Sequence, residues 1–149
     1  MLEDKIIILD SLADTREMGL NELAHRLVDT GAVKETFPDA ILSREVEFPT
    51  GLQTENLGVA IPHTDAKYVN KNQMAVLRFA NPVEFLQMGD GQPIRVNILF
   101  MLALKEPHAQ LEMLQKLVAL IQDEEIAKRL LNNKTPSQIV ETLNAAGIE

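Results

Sequence analysis

The chain has 149 residues, of which 46% are hydrophobic, 14 are Lys or Arg and 22 are Asp or Glu, so its formal net charge is −8. This length fits one domain with a sizeable core. The acidic balance argues against nucleic acid, which proteins hold with Lys and Arg, and favours a partner with a basic face. The chain has no cysteine, which excludes disulfides, thiolate zinc sites and thiol nucleophiles.

The amino-terminal segment lacks the features of an export signal or a membrane anchor. Met1–Lys5 begins acidic, and the apolar stretch after it, Ile6–Leu9, is too short for a signal peptide or a membrane span. No later apolar run reaches the length of about eighteen residues that a membrane helix needs. We therefore expect a soluble, cytoplasmic protein in which residues 1–149 form a single domain.

The first half of the chain predicts a strand and then a helix. The β-branched run Ile6–Leu9 is typical of a strand, and Asp14 with Glu17 three residues later resembles a helix start. Gly31 stands where this helix would end. Between them, apolar residues recur at helical spacing: Leu20, Leu23, Ala24, Leu27 and Val28.

A second, weaker helical pattern covers Phe37–Val46. Pro38 falls in its first turn, where proline is tolerated, and Pro49 with Gly51 predicts that the helix ends before them. The chain then changes to the patterns of strands, which predict three: Leu57–Ile61, Met74–Ala80 and Ile94–Leu104.

The third of these strands, Ile94–Leu104, is apolar at both phases, which indicates a central strand covered on both faces. A turn over residues 87–93 makes it a neighbour of Met74–Ala80. Three helices follow: one beginning at Pro107 and running to Ile121, one over Asp123–Leu131, and one over Pro136–Ala146 with Thr135 as its cap. The economical architecture is an α/β fold, a mixed sheet with helices on both faces in an α/β/α sandwich.

Two of the three histidines lie at the boundaries of predicted elements. His63 follows the apolar segment Gly58–Pro62, and His108 lies in the first turn of a helix, whereas His25 lies on a polar helix face. Strands that lead into His63 and His108 can deliver both rings to one edge of the sheet, where open α/β sheets bind ligands. A helix N-terminus beside them would favour an anion.

Imidazole suits proton transfer, metal ligation or covalent catalysis, and the residues leave these uses open. A metal site built from His63, His108 and Asp65 is the competing arrangement, although no His-x-x-x-His or similar ligand spacing occurs. Arg44 is a further candidate, because a planar guanidinium recognises phosphate; its alternative role is an ion pair with Glu45 or Glu47 at the helix end.

Three segments together resemble a known family over nearly the whole chain. They are Arg44-Glu45 followed by Phe48-Pro49-Thr50-Gly51-Leu52, then Gly58-Val59-Ala60-Ile61-Pro62-His63, and finally Glu106-Pro107-His108. They resemble the fructose/mannitol type (type 2) of IIA component of the bacterial phosphoenolpyruvate-dependent sugar phosphotransferase system. That resemblance implies a mixed sheet flanked by helices, which agrees with the fold predicted from the patterns.

By the resemblance, His63 is a phosphocarrier that accepts a phosphoryl group from HPr and passes it to the cysteine of a IIB component. Arg44 and His108 match the family's supporting positions, and the linkage would be at Nε2 with Nδ1 held by an acceptor. The membrane component IIC would be reached only through IIB. In-line phosphoryl transfer asks for positioning and for donors around the phosphoryl oxygens, which His108, Arg44 and backbone N–H groups near residues 107–109 would supply. No cofactor or metal is expected.

Thr64 departs from the family pattern, because many members have a small residue after the phosphorylated histidine. Its hydroxyl can donate to a phosphoryl oxygen or cap the following turn. The segments Pro49–Glu55 and Pro62–Ala66 are most like the galactitol-type subgroup. Two other functions stay open: a regulatory IIA-like phosphoprotein that controls a partner protein without moving sugar, and a metal-dependent hydrolase.

Overall fold

A computed structural model describes residues 6–148, so the predictions made for Met1–Lys5 lie outside the described residues. The strands are β1 (Ile7–Ser11), β2 (Gly51–Gln53), β3 (Gly58–Ala60), β4 (Gln73–Leu86) and β5 (Pro93–Ala103). The helices are α1 (Arg16–Asp29), α2 (Phe37–Glu47), α3 (Pro107–Ile121), α4 (Glu124–Asn132) and α5 (Pro136–Ala145).

The five strands form one mixed sheet in the order β1-β4-β5-β3-β2. β4 and β5 are antiparallel, as the predicted turn between them required, while β3 runs parallel to β5 and β1 runs parallel to β4. β5 occupies the centre, and its residues from Ile98 to Ala103 are buried. The prediction of a central strand covered on both faces is therefore confirmed.

Helices cover both faces of this sheet, which two successive residues of β4 make plain. Phe79 packs against Gly19 of α1, where a Cβ would lie 2.6 Å from the Phe79 Cζ atom. The neighbouring Arg78 donates instead to the carbonyl oxygens of Leu130 and Asn133 at the end of α4, at 3.0 and 2.6 Å. Because successive side chains of a strand point to opposite faces, α1 and α4 lie on opposite sides of the sheet, and the predicted α/β sandwich is confirmed.

Three details of the elements differ from the predictions. The α1 cap is Thr15, whose hydroxyl accepts from the Met18 N–H at 3.1 Å, and not Asp14. β4 continues beyond the predicted end at Ala80, because a register shift between Arg78 and Val83 admits Pro82 into the strand. β2 was not predicted, since a strand of three residues is too short to show a periodic pattern.

α3 is packed unevenly along its length. Its buried residues are Leu117, Leu120 and Ile121, all in the second half, whereas Leu111 in the first half is 52% exposed. Apolar residues recur at helical spacing along the whole helix, from Leu111 to Ile121, but this apolar stripe is only partly covered. Within residues 6–148, no helix combines the length and the apolar character needed to cross a bilayer.

Candidate phosphoryl-transfer site

The main chain after β3 carries His63 to the carboxyl edge of the sheet. β3 is fully buried and pairs with β5 at Val59 and Ala60. The pairing continues beyond the strand, because the Leu102 N–H donates to the Pro62 carbonyl oxygen at 2.9 Å. His63 is thus the first residue to leave a segment fixed to the centre of the sheet, and it is half-buried there.

The His63 ring is held by its Nδ1 atom, which lies 2.8 Å from the Ile61 carbonyl oxygen. A carbonyl oxygen can only accept, so Nδ1 must carry the proton and donate. In the neutral ring this leaves a lone pair on Nε2. The arrangement therefore holds one ring nitrogen in place and leaves the other as a nucleophile.

The surroundings also keep this ring neutral. Burial lowers the pKa of His63 from its ordinary value near 6.5, and the positive charge of Arg44 lowers it further, while the hydrogen bond to Ile61 opposes them. The unprotonated form is consequently favoured near pH 7. The same positive charge would attract a phosphoryl group attached to the ring.

Arg44 lies in the last turn of α2, and its guanidinium stacks over the Phe48 ring with its Cζ atom 4.6 Å from the ring centroid. Among residues 6–148 it forms no ion pair with Glu45 or Glu47, so the alternative role considered from the sequence is wrong. Stacking holds one face of the guanidinium and leaves its N–H groups for other partners.

Thr64 is buried, at 7% exposure, and lines an open cleft of about 510 Å³ between α2 and the segment after His63. Arg44, Asp65 and Tyr68 line the same cleft. The structure thus brings three of the four predicted site residues, His63, Arg44 and Thr64, to one place at the end of β3.

His108 occupies a different environment. Its side chain is 83% exposed, and its Nε2 atom lies 3.3 Å from a carboxylate oxygen of Glu112 on the next turn of α3. Nowhere in the described chain does a hydrogen bond or ion pair join His108 to His63, Arg44 or Thr64. His108 follows β5 as His63 follows β3, so the two share an edge of the sheet without touching. Pro107 has no N–H, which leaves His108 and Ala109 as the first backbone donors of α3.

Two residues beside the site were not predicted from the sequence. Glu45 is 5% exposed, and its carboxylate accepts from the Thr50 N–H and from the Thr50 hydroxyl, both at 2.8 Å. Thr50 in turn accepts from the Ile61 N–H at 3.1 Å. A signal for Glu45 was present, because it follows the buried Phe37 and Ile41 at intervals of four residues, on one face of α2.

The hypothesis of a metal centre finds no matching group of side chains. In the part of the chain that the structure describes, no three His, Cys, Asp or Glu side chains lie close enough together to hold a metal ion. His108, one of the three ligands considered, instead faces Glu112.

Comparison with known proteins places this chain in a family. The family model of the phosphoenolpyruvate-dependent sugar phosphotransferase system, EIIA 2, matches residues 1–146. The galactitol-specific EIIA component of Escherichia coli strain K12 is 32% identical over 121 residues, which are 81% of this chain and 80% of that protein. A nitrogen regulatory protein of Bradyrhizobium diazoefficiens is 29% identical over 133 residues, 87% of this chain and 83% of that protein.

Among solved structures, the complex of the mannitol enzyme IIA with phosphorylated enzyme IIB from Escherichia coli contains the same fold. The match has a TM-score of 0.79 at 23% identity and covers 97% of this chain and 98% of that chain. The fold and the matched family model agree with the resemblance noted in the sequence. The chain belongs to the EIIA type 2 family of the phosphoenolpyruvate-dependent sugar phosphotransferase system.

Proposed function

We propose that this protein is a phosphocarrier in which Nε2 of His63 accepts a phosphoryl group from phospho-HPr and passes it to the cysteine of a IIB component. The observation that carries the proposal is the His63 ring itself. Its Nδ1–H donates to Ile61, so its Nε2 lone pair is free, beside the guanidinium of Arg44.

Each step exchanges one bond to phosphorus for another. In the first, the Nε2 lone pair attacks phosphorus, the N–P bond of phospho-HPr breaks, and the HPr imidazole leaves with the electron pair. In the second, the IIB thiolate attacks, the Nε2–P bond breaks, and His63 returns to its neutral form with Nδ1 still protonated. Neither step needs a metal, because positioning and cationic donors stabilise the transferred group.

Arg44, Thr64 and His108 are the supporting residues in this proposal. The Arg44 fork would hold phosphoryl oxygens, and the Thr64 hydroxyl would donate to one of them. His108 would have to leave Glu112 to reach the group, which the exposed position of both side chains permits.

The surface around the site is suited to a partner protein. Phe48, whose ring packs against the Arg44 guanidinium, is 52% exposed. Large exposed apolar side chains next to a reactive group are typical of contact surfaces, and the net charge of −8 favours a basic partner face. HPr and IIB would use this surface in turn, in the cytoplasm, and IIC would be reached only through IIB.

The 32% sequence identity to a galactitol-specific EIIA component supports a galactitol-like polyol as the transported substrate. The IIA component touches its carrier proteins and not the sugar, so the substrate has to be tested through its IIB and IIC partners. Uptake of galactitol, mannitol and fructose, compared in cells with and without this gene, would show which sugar depends on it.

The phosphorylation itself is tested with phosphoenolpyruvate, enzyme I and HPr. We expect acid-labile phosphate on the wild type and none on His63→Gln. His25→Gln is the matched control, because His25 also holds its Nδ1 atom 2.8 Å from a backbone carbonyl oxygen, that of Asn21, but lies exposed on α1. Undiminished phosphate on His63→Gln would overturn the proposal.

A second function is favoured by one observation, the similarity to a nitrogen regulatory protein. In that alternative, His63 is phosphorylated in the same way, but the phosphorylated protein controls a partner protein and moves no sugar. Deleting the gene would then leave polyol uptake intact and change transcription or ion transport. Loss of uptake that a His63→Gln copy does not restore would decide for transport.

A further inference from the structure

The buried carboxylate of Glu45 is the start of a continuous line of hydrogen bonds that ends on the reactive ring. Removing a carboxylate from water is costly unless its oxygens accept hydrogen bonds. Thr50 supplies two, from its N–H to Oε2 and from its hydroxyl to Oε1. Glu45 and Thr50 are 5% and 3% exposed, so water has little access to this contact.

The line continues from Thr50 to the main chain before His63. The Thr50 hydroxyl oxygen accepts from the Ile61 N–H at 3.1 Å, and the Ile61 carbonyl accepts from His63 Nδ1 at 2.8 Å. Ile61 is thus held on both its backbone polar groups. Since Pro62 follows it, Ile61 is also restricted to extended backbone angles. The direction of its carbonyl is therefore determined from three sides.

We infer that Glu45 and Thr50 are positioning residues that hold the Ile61 carbonyl oxygen in place and thereby set the tautomer and orientation of His63. The importance of this orientation for phosphoryl transfer rests on the proposed function. Glu45 and Thr50 touch neither the phosphoryl group nor Nε2. They act through Ile61.

Donors and acceptors are fixed along this line of hydrogen bonds. A carboxylate only accepts, so the Thr50 hydroxyl has to donate to Glu45 and offers its lone pair to Ile61. Burial raises the pKa of Glu45 to about 7, while the hydrogen bonds from Thr50 and the charge of Arg16 oppose the rise. The Thr50 contacts thus favour the ionised form of this carboxyl.

The isosteric pair Thr50→Val and Thr50→Ser tests the inference without any phosphoryl donor. Valine keeps the shape and removes the hydroxyl, whereas serine retains it. The readout is the nitrogen-15 NMR spectrum of the His63 ring, which reports the ratio of Nδ1–H to Nε2–H tautomers. We expect Thr50→Val to shift this ratio about two- to tenfold toward Nε2–H, which is the range of one neutral hydrogen bond. Thr50→Ser should keep the wild-type ratio.

Thr54→Val is the matched control. The Thr54 hydroxyl, like that of Thr50, both donates and accepts: it donates to the Leu57 carbonyl oxygen and accepts from the backbone N–H groups of Asn56 and Leu57. It has no connection to Ile61. It should leave the tautomer ratio unchanged. If Thr50→Val does not fold, Glu45→Gln is measured in its place and should shift the ratio in the same direction.

A folded Thr50→Val protein, or in its place Glu45→Gln, with the wild-type tautomer ratio would overturn the inference. The phosphorylation assay is read separately. A shifted ratio in a protein whose wild type never accepts phosphate would sink the proposed function and leave the positioning role standing. Phosphate on wild-type His63 together with an unchanged tautomer ratio in Thr50→Val would support the proposed function and overturn the positioning role.

Discussion

His63 and His108 follow neighbouring parallel strands to the same edge of the sheet, yet the structure holds the two rings very differently. His63 is half-buried, and its Nδ1 atom lies against a carbonyl oxygen that is itself fixed by the core. His108 is 83% exposed and lies beside a carboxylate of its own helix. Position at a strand end therefore does not by itself organise a side chain. The packing around the following residues does.

The difference has a physical origin in the two segments. The chain after β3 stays hydrogen-bonded to β5 and packs near the end of α2, whereas the first half of α3 carries no buried residue. If the proposed function is right, the acceptor side of the site, around His63, is therefore formed before phosphorylation, whereas His108 on α3 has to move when the phosphoryl group arrives.

Arg44→Lys should have the largest effect on the proposed transfer, because it changes the cation on the acceptor side of the site, which is formed before phosphorylation. A lysine keeps the charge but loses the planar fork and its stacking on Phe48. Loss of a hydrogen bond to a charged group is worth about 1.5 to 3 kcal/mol, so we expect transfer to IIB to slow by about ten- to a hundredfold. Stopped-flow or rapid-quench transfer rates measure this. A wild-type rate would show that charge alone suffices.

His108→Ala should slow the transfer by about tenfold, the lower end of the same range, because the exposed ring has to reorganise first. Glu112→Gln sharpens the comparison. It weakens the contact that holds His108 away and should leave transfer at the wild-type rate or above it. If His108→Ala transfers as fast as the wild type, His108 has no part in the reaction.

Thr64→Val tests the hydroxyl next to the acceptor. Thr64 is buried and lines the cleft beside Arg44, and a neutral donor is worth about 0.5 to 1.5 kcal/mol. The phosphohistidine should therefore hydrolyse about two- to tenfold faster in the variant. The hydrolysis half-life and the thermal midpoint are measured together. A lowered midpoint with an unchanged half-life would assign the hydroxyl to the turn and remove it from the site.

The smallest effect concerns pH. An unperturbed histidine is about three-quarters protonated at pH 6, which would reduce the nucleophilic form about fourfold. Because the pKa of His63 is lowered, phosphoryl acceptance should decline less than that between pH 7.5 and pH 6. The sign for stability follows from the same shift: the unfolded chain binds the proton more readily, so the free energy of unfolding contributed by His63 falls as the pH drops below about 6.5.

An NMR titration of the His63 ring checks this directly. A midpoint at or above 6.5 would contradict the expectation. Arg44→Gln should raise the midpoint, since it removes the positive charge beside the ring.

Hydrophobic patterns that extend over many residues predicted the fold well. β5 was recognised as central from its apolar residues at both phases, and α5 from the Thr135 cap, whose hydroxyl accepts from the Gln138 N–H. β2 and the extension of β4 through Pro82 were missed, because a strand of three residues and a proline within a strand carry no periodic signal.

The candidate site was predictable only in part, for a related reason. His63 and Arg44 stand in a motif that is read from the chain directly. The Glu45–Thr50–Ile61 contacts depend on which acidic residue at the end of α2 turns inward, and Glu45 and Glu47 look alike as residue types. Only the spacing of Glu45 from Phe37 and Ile41 separates them. The exposure of His108 depends on how much of α3 is buried. The apolar stripe suggests that the whole helix is covered, but only its second half is.

The central claim is that His63 accepts the phosphoryl group on Nε2 while Nδ1 continues to donate to Ile61. Nitrogen-15 NMR of the uniformly labelled protein, phosphorylated by phosphoenolpyruvate, enzyme I and HPr, tests it most directly. We predict one phosphohistidine with phosphorus coupled to Nε2 of His63 and a proton retained on Nδ1. Coupling to Nδ1 of His63, or a phosphorylated ring at His108 or His25, would contradict the account.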